Sequence, residues 1–291
     1  MKGKVKRRVI AWVLSFALVM GTVLGGPGLF MKAHAADAGV LYIIDSIGGT
    51  PESVTEDCTD SAGGWSYDAG TATLTLDGFQ GEYIEANGDI NIVLKGKNKI
   101  TISAESTEGI KSTGKVTIDD TISPVQDCLD IYCNDGTESV SMIYTGGFGA
   151  DYATYIVGGT VNLVEENTRR RYVTGISRWA YVENDASLNI NLSADGGRNG
   201  AAALLNLNTS GDTSFRVNSL SSSSYGVYSL DKKGSGDTAL TAEGKAKNIG
   251  NKFTVGSTGN TGKITIKGYL TDFTPYRKKN RIVGVDNFLW S

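Results

Sequence analysis

From residue 70 onward the chain is built of short apolar alternations rather than helical stripes. A five-residue pattern of glycine, polar, variable, short and large apolar recurs with glycine at 70, 88, 114, 136, 159, 211, 236 and 262, and once with Ala186 in the glycine slot. Its fifth position is always large and apolar: Leu74, Ile92, Ile118, Val140, Leu163, Ile190, Phe215, Leu240 and Ile266. The third is apolar at Ile90, Val116, Val161, Leu188 and Ile264, and polar at Glu138, Thr213 and Thr238. The fourth is short: Thr73, Asn91, Thr117, Ser139, Asn162, Asn189, Ser214, Ala239 and Thr265. Apolar side chains flanking a short polar one have the period of a half-buried strand. Asn87, Thr113, Asp135, Ser210, Ser235 and Thr261 precede the glycines, and Asn-Gly or Asp-Gly steps supply the positive torsion of a sharp corner. Four residues upstream of the slot runs another apolar column: Ile84, Ile110, Tyr132, Tyr155, Val182 and Leu207.

From Gly88 to Gly262 the slot recurs at a mean interval of about 25 residues, a period within the range of solenoid repeats. A unit of that size with two or three short strands cannot enclose a core alone. Stacked on like units, it buries one apolar column per position. The expected fold is all-β: a single-domain right-handed parallel β-helix, a solenoid of about nine coils and roughly 40 Å long. A β-sandwich is the alternative, and it leaves the fixed register unexplained. The solenoid is placed at 70–268. Residues 36–69, where Pro51 and Cys58 break the repeat, are expected to form an N-terminal cap. Residues 269–291 are expected to form the C-terminal one, with Pro275, the basic run Arg277, Lys278, Lys279 and Arg281, and an apolar strand from Ile282 to Val285. A piece of a longer surface protein is the alternative to a capped end.

Composition adds the address. Residues 1–35 read as a signal peptide: a basic start (Lys2, Lys4, Lys6, Arg7, Arg8), an apolar stretch from Val9 to Leu24, and Ala33-His34-Ala35 as a small-x-small cleavage pattern. An uncleaved N-terminal anchor is the alternative. Without the leader, 22 Lys and Arg face 31 Asp and Glu, a net charge of −9 over 256 residues. The single histidine, His34, leaves with the leader, which excludes Ser-His-Asp and Cys-His catalysis and imidazole-based zinc sites. The acidic balance argues against a nucleic-acid partner. No apolar run outside the leader is long enough to cross a bilayer, and no lipidation site follows it. The expected location is extracellular, secreted and associated with the cell surface. Glycine, 33 of those 256 residues, is at roughly twice its usual frequency. The three cysteines, Cys58, Cys128 and Cys133, are too few for a disulfide scaffold; a Cys128–Cys133 bridge and buried thiols both stay open.

The stretches Gly64-Trp65-Ser66-Tyr67-Asp68, Thr73-Leu74-Thr75-Leu76-Asp77-Gly78-Phe79 and Ile84-Glu85-Ala86-Asn87-Gly88-Asp89-Ile90-Asn91-Ile92 resemble a group of exported Gram-positive bacterial proteins labelled carbohydrate-binding domain-containing. The resemblance continues through Val93-Leu94-Lys95-Gly96-Lys97-Asn98, is clearest over 64–118, and extends by repeat pattern alone to about 268. It implies a pectate-lyase-like right-handed β-helix and a polysaccharide partner such as pectin or cellulose. It carries over no catalytic residue.

Candidate chemistry centres on Arg169, Arg170, Arg171 and Tyr172, followed by Arg178, Trp179 and Tyr181. With Val182 inward, strand alternation sends Ala180 inward and Trp179 and Tyr181 outward. Exposed rings offer sugars an apolar platform, and guanidinium grips carboxylates bidentately. The alternative is that these arginines pair with Glu165, Glu166 and Glu183 on a solvated loop while the rings cover a coil edge. The short fourth-position column either binds sugar hydroxyls or satisfies itself between coils. Asp119-Asp120, Asp127-Asp130-Asp135 and Glu165-Glu166 are candidate calcium ligands or solvated carboxylates; no cofactor is otherwise expected. Gly146-Gly147-Phe148-Gly149 and Gly256 to Lys263 only approximate phosphate-binding loops and read as turns. Three functions follow: a non-catalytic polysaccharide-binding or adhesive protein, a uronate lyase using Arg178 as base with calcium, and a structural spacer.

Overall fold

The computed structural model describes residues 40–46, 48–120, 127–134, 136, 138–147, 149–166, 172–183, 185–194, 200–221, 223–255, 262–268 and 288–290. The chain divides into a unit Met1–Asp37 and a unit Ala38–Ser291, and every described residue belongs to the second. That unit is all-β, with one short 3-10 turn at Ala150–Tyr152. Among the described residues no helix is long and apolar enough to cross a membrane.

Strands run in three rows, and neighbours within a row pair in parallel. Tyr83–Ala86, Glu108–Ser112 and Val140–Thr145 follow one another in the first row. Thr73–Asp77, Ile90–Lys95, Val116–Asp120 and Thr154–Ile156 form the second. The long strand Tyr172–Val182 joins the two, its first half pairing Val140–Thr145 and its second Thr154–Ile156. Gly200–Thr209, Tyr225–Lys232 and Lys247–Val255 continue that joined sheet. The third row is a separate sheet running from Gln80–Gly81 through Lys97–Ile102, Cys128–Cys133, Thr160–Glu166, Ser187–Ala194, Asp212–Ser219 and Thr238–Gly244 to Ile264–Lys267 and Phe288–Trp290. Following the chain from Tyr83 to Lys267, each visit to the first row leads to the second, then the third, then back. Antiparallel pairing is confined to the start, where Leu41–Ile44 lies on Tyr83–Ala86 and Trp65–Asp68 on Thr73–Asp77.

Period-two alternation holds along these strands: in Ile90–Lys95, Ile90, Ile92 and Leu94 are buried while Asn91 and Val93 are not. The core forms one cluster from Leu41 to Ile266. Burying a Leu, Ile or Phe side chain contributes about 1.5–3 kcal/mol, so this repeated column dominates stability.

The nine fifth positions, read as one column, occupy three. Leu74, Ile92 and Ile118 are in register in the second row. Val140 lies in the first row, against Val173. Leu163, Ile190, Phe215, Leu240 and Ile266 are in register in the third. The cause is local: extra residues after Asp120 and after Thr145 lengthen two repeats. Ile131 to its partner Leu163, and Ile110 to Ile143, are longer steps along the chain than Ile84 to Ile110. The short intervals from Gly114 to Gly136 and from Gly136 to Gly159 therefore step between rows, each of which starts with the same glycine turn. Tyr132 and Tyr155, grouped with the apolar column, face the outer surface.

Glycine serves the corners for two different reasons. Gly88 and Gly159 have positive φ, +106° and +70°, torsions an L side chain rarely adopts. Gly211, Gly236 and Gly262 do not, but a Cβ on Gly236 or Gly262 would collide with the backbone of the glycine one repeat earlier. The polar second position also has a role. Asp89, Asp212 and Asp237 each accept the amide of the equivalent residue in the next repeat: Lys115 at 2.8 Å, Asp237 at 2.7 Å and Lys263 at 2.8 Å. Thr213 and Thr238, the polar third positions, are buried together and share a 3.0 Å hydrogen bond.

Candidate functional site

The long strand Tyr172–Val182 positions the candidate residues. Ala180 and Val182 are buried, and Trp179 and Tyr181 point outward, half-exposed. Tyr181 is in register with Tyr155 on the neighbouring strand. Their rings stack with centroids 4.6 Å apart and planes 6° from parallel. Trp179 joins at 6.5 Å and 26°, and the Lys115 ammonium stands 5.8 Å from the Tyr155 centroid. The Tyr155 hydroxyl donates to the Ala150 carbonyl at 3.3 Å. Burial holds its proton affinity above the ordinary phenol value, and the charges of Asp151 and Glu183 add to that. Because Tyr155 and Tyr181 cover each other's faces, with Lys115 over the one ring and Trp179 stacked with the other, the surface they offer consists mainly of ring edges.

Tyr172 sits elsewhere. The strand shifts register between Ile176 and Trp179, so Tyr172 lies in the first row and the other two rings in the second. Tyr172 is half-buried and hydrogen-bonded to Tyr225, and burial raises the pKa of both. Tyr225 in turn lies 5.5 Å from Tyr228. The expected single patch is thus two aromatic clusters on one sheet, Tyr155–Tyr181–Trp179 and Tyr172–Tyr225–Tyr228. Arg178 falls between them, at the shift itself. Arg169, Arg170 and Arg171 lie outside the described residues.

The carboxylates set beside those arginines are placed differently from one another. Glu165 is fully buried, and its Oε2 accepts the Ser193 amide at 2.9 Å. Glu183 is exposed, and the Glu166 side chain lies outside the described residues. Sequence reasoning passed over Tyr155 as core and did not single out Lys115, Tyr152, Tyr225 or Tyr228. A usable signal existed: Tyr155 and Tyr181 stand one repeat apart along the chain, and Tyr152 and Arg178 stand apart by the same interval.

Two of the acidic candidates turn an oxygen to a backbone amide. Asp127 Oδ1 accepts the Gly96 amide at 2.6 Å and Asp119 Oδ1 the Asp120 amide at 2.8 Å. Burial, with the Asp119 charge next, raises the Asp120 pKa, which disfavours the ionised form a cation needs. Among the described residues no three His, Cys, Asp or Glu side chains are placed to hold a metal ion; Asp135 lies outside them. Cys128 and Cys133 occupy opposite ends of one strand, too far apart to bridge, and none of the three cysteines forms a disulfide. The fourth-position column satisfies itself in part: Asn162 donates to Asp130 at 2.7 Å and Asn189 to Asn162 at 2.9 Å.

Compared with protein families, curated proteins and solved structures, the chain matches none of them.

Proposed function

We propose that this chain is a secreted, non-catalytic protein that binds extracellular polysaccharide, pectin or cellulose, and that its strands wind as a right-handed parallel β-helix. The three-row order, repeated in parallel register from one coil to the next, supports the winding. The leader and the Trp65 motif support export and a glycan partner. The observation that carries the binding function is the outward cluster of Tyr155, Tyr181 and Trp179, drawn from neighbouring strands with Lys115 and Arg178 beside it. Sugars present apolar faces ringed by hydroxyls, and amphipathic rings with polar tips complement both.

Arg178 as a lyase base would need a calcium-bound uronate at its side. Among the described residues the carboxylates do not assemble for that ion, so binding is the better-supported reading. The test is retention of Trp179→Ala/Tyr181→Ala on immobilised pectin and cellulose, with unsaturated uronate release assayed in parallel. Loss of retention without any release is expected. Unchanged retention would overturn the proposal, and release would replace binding with lysis.

A further inference from the structure

Two of the most exposed aromatic side chains among the described residues are Tyr152, 39% exposed, and Tyr228, 41% exposed. Both rest on glycine. A Cβ on Gly147 would fall on the Cγ, Cδ1 and Cδ2 atoms of the Tyr152 ring, so that ring lies face-down on the Gly147 backbone. A Cβ on Gly250 would stand 2.7 Å from Tyr228 Cδ2. Gly147 thus serves as the seat of a ring.

These two tyrosines share a line. The turn holding Tyr152 connects Val140–Thr145 to Thr154–Ile156, and Tyr172–Val182 crosses the same place on the neighbouring strand with Ser177 and Arg178. Two strands further on, Tyr228 sits between Val227 and Ser229, where the register again shifts. Tyr152, Arg178 and Tyr228 therefore mark the ridge where the first and second rows meet. Tyr155, Tyr181 and Trp179 flank it on one side and Tyr225 and Tyr172 on the other. Three strand spacings of ~4.8 Å separate the outer two, roughly 14 Å or about three pyranose rings.

Charge decides the class of glycan. Around the Tyr155 ring and the ridge, two cations, Lys115 and Arg178, are set against two carboxylates, Asp151 and Glu183. The chain as a whole has 31 acidic residues against 28 basic. A uronate polymer brings a negative charge with every sugar and meets no net attraction from these four described groups, whereas a neutral chain meets hydroxyl-binding groups of both signs. Resting on the polysaccharide-binding reading above, we infer that an extended neutral β-glucan lies along this ridge, across the strands, with Tyr152 and Tyr228 as its end platforms.

Calorimetric titration of the full chain with cellohexaose, cellobiose and a galacturonate hexamer tests this. Cellohexaose should bind at least about tenfold more tightly than cellobiose, which reaches only one platform. Tyr152→Ala and Tyr228→Ala should each weaken cellohexaose about tenfold, with melting temperature confirming the fold. Tyr132→Ala, which removes a similarly exposed ring from the other sheet (37% exposed), should leave affinity unchanged. Binding lost in Trp179→Ala but intact in both ridge variants would overturn the ridge path alone. Preference for the galacturonate hexamer would overturn the neutral class and keep polysaccharide binding. Failure of the unaltered chain to bind any glycan would overturn both.

Discussion

The two sheets share one interior and present different exteriors. On the outer surface of the third-row sheet, polar groups answer one another: Asp130, Asn162 and Asn189 form a hydrogen-bonded ladder, and Arg216 reaches Glu243 at 2.8 Å through one nitrogen and 3.2 Å through another. Its exposed ring, Tyr132, is covered by the Lys99 ammonium at 4.8 Å. The joined first- and second-row sheet instead carries tyrosines and Trp179 in two clusters with Arg178 between them. Identical inward alternation thus leaves the outward positions free to differ. A ladder that satisfies itself stabilises the stack; a cluster of half-exposed rings leaves amphipathic edges for a partner.

Exchanges on the two surfaces should therefore separate binding from stability. Trp179→Ala/Tyr181→Ala should give the largest effect, about 100-fold weaker glycan binding at about tenfold per ring, with a melting temperature lowered by only a few degrees. An equal loss of stability and affinity would make the rings part of the scaffold.

Alkali should act next, and on the joined sheet. Burial is the first cause of the raised phenol pKa at Tyr83, Tyr155, Tyr172 and Tyr225. A phenol that holds its proton more tightly when folded gives stability that is complete below the ordinary value of about 10 and is lost as pH rises beyond it. Lys232, on the same sheet and fully buried, does the reverse: burial lowers its pKa, so stability rises with pH toward about 10.4. Urea unfolding should show the advantage of Lys232→Met over the unaltered chain shrinking from pH 7 to 10, and both falling above that. A constant advantage would mean that Lys232 keeps its proton in the fold as firmly as in the unfolded chain, with no lowering of its pKa.

On the third-row sheet, Asn162→Ala removes two ladder bonds and should cost about 1–2 kcal/mol in urea unfolding, leaving glycan affinity unchanged. Arg216→Ala should give the smallest effect, under about 0.5 kcal/mol, because the pair is solvent-exposed, with Arg216 48% and Glu243 41% exposed.

The alternation itself was legible: Ile90, Ile92, Val116 and Ile118 declare their strands by period two, and Ala180, Trp179 and Tyr181 face as that period requires. Row membership was not. Three rows begin with the same glycine turn, so Val140 and Leu163 look equivalent until long-range pairing separates them. Tyr155 reads as core because aromatic rings suit both faces of a sheet. Glu165 reads as a loop partner because its charge argues for solvent, although the period two of Val161 and Leu163 carries it inward to the Ser193 amide. The site was half legible for the same reason. Trp179 and Tyr181 follow from one strand, whereas Tyr155, Tyr152 and Tyr228 join them only through register.

Hydroxyl-radical footprinting with and without cellohexaose compares both surfaces in a single experiment. Glycan on the aromatic surface should protect Tyr152, Trp179, Tyr181 and Tyr228 from oxidation while leaving Tyr132 unchanged. Protection of Tyr132 with the other four still oxidised would place the glycan on the opposite sheet and contradict that assignment.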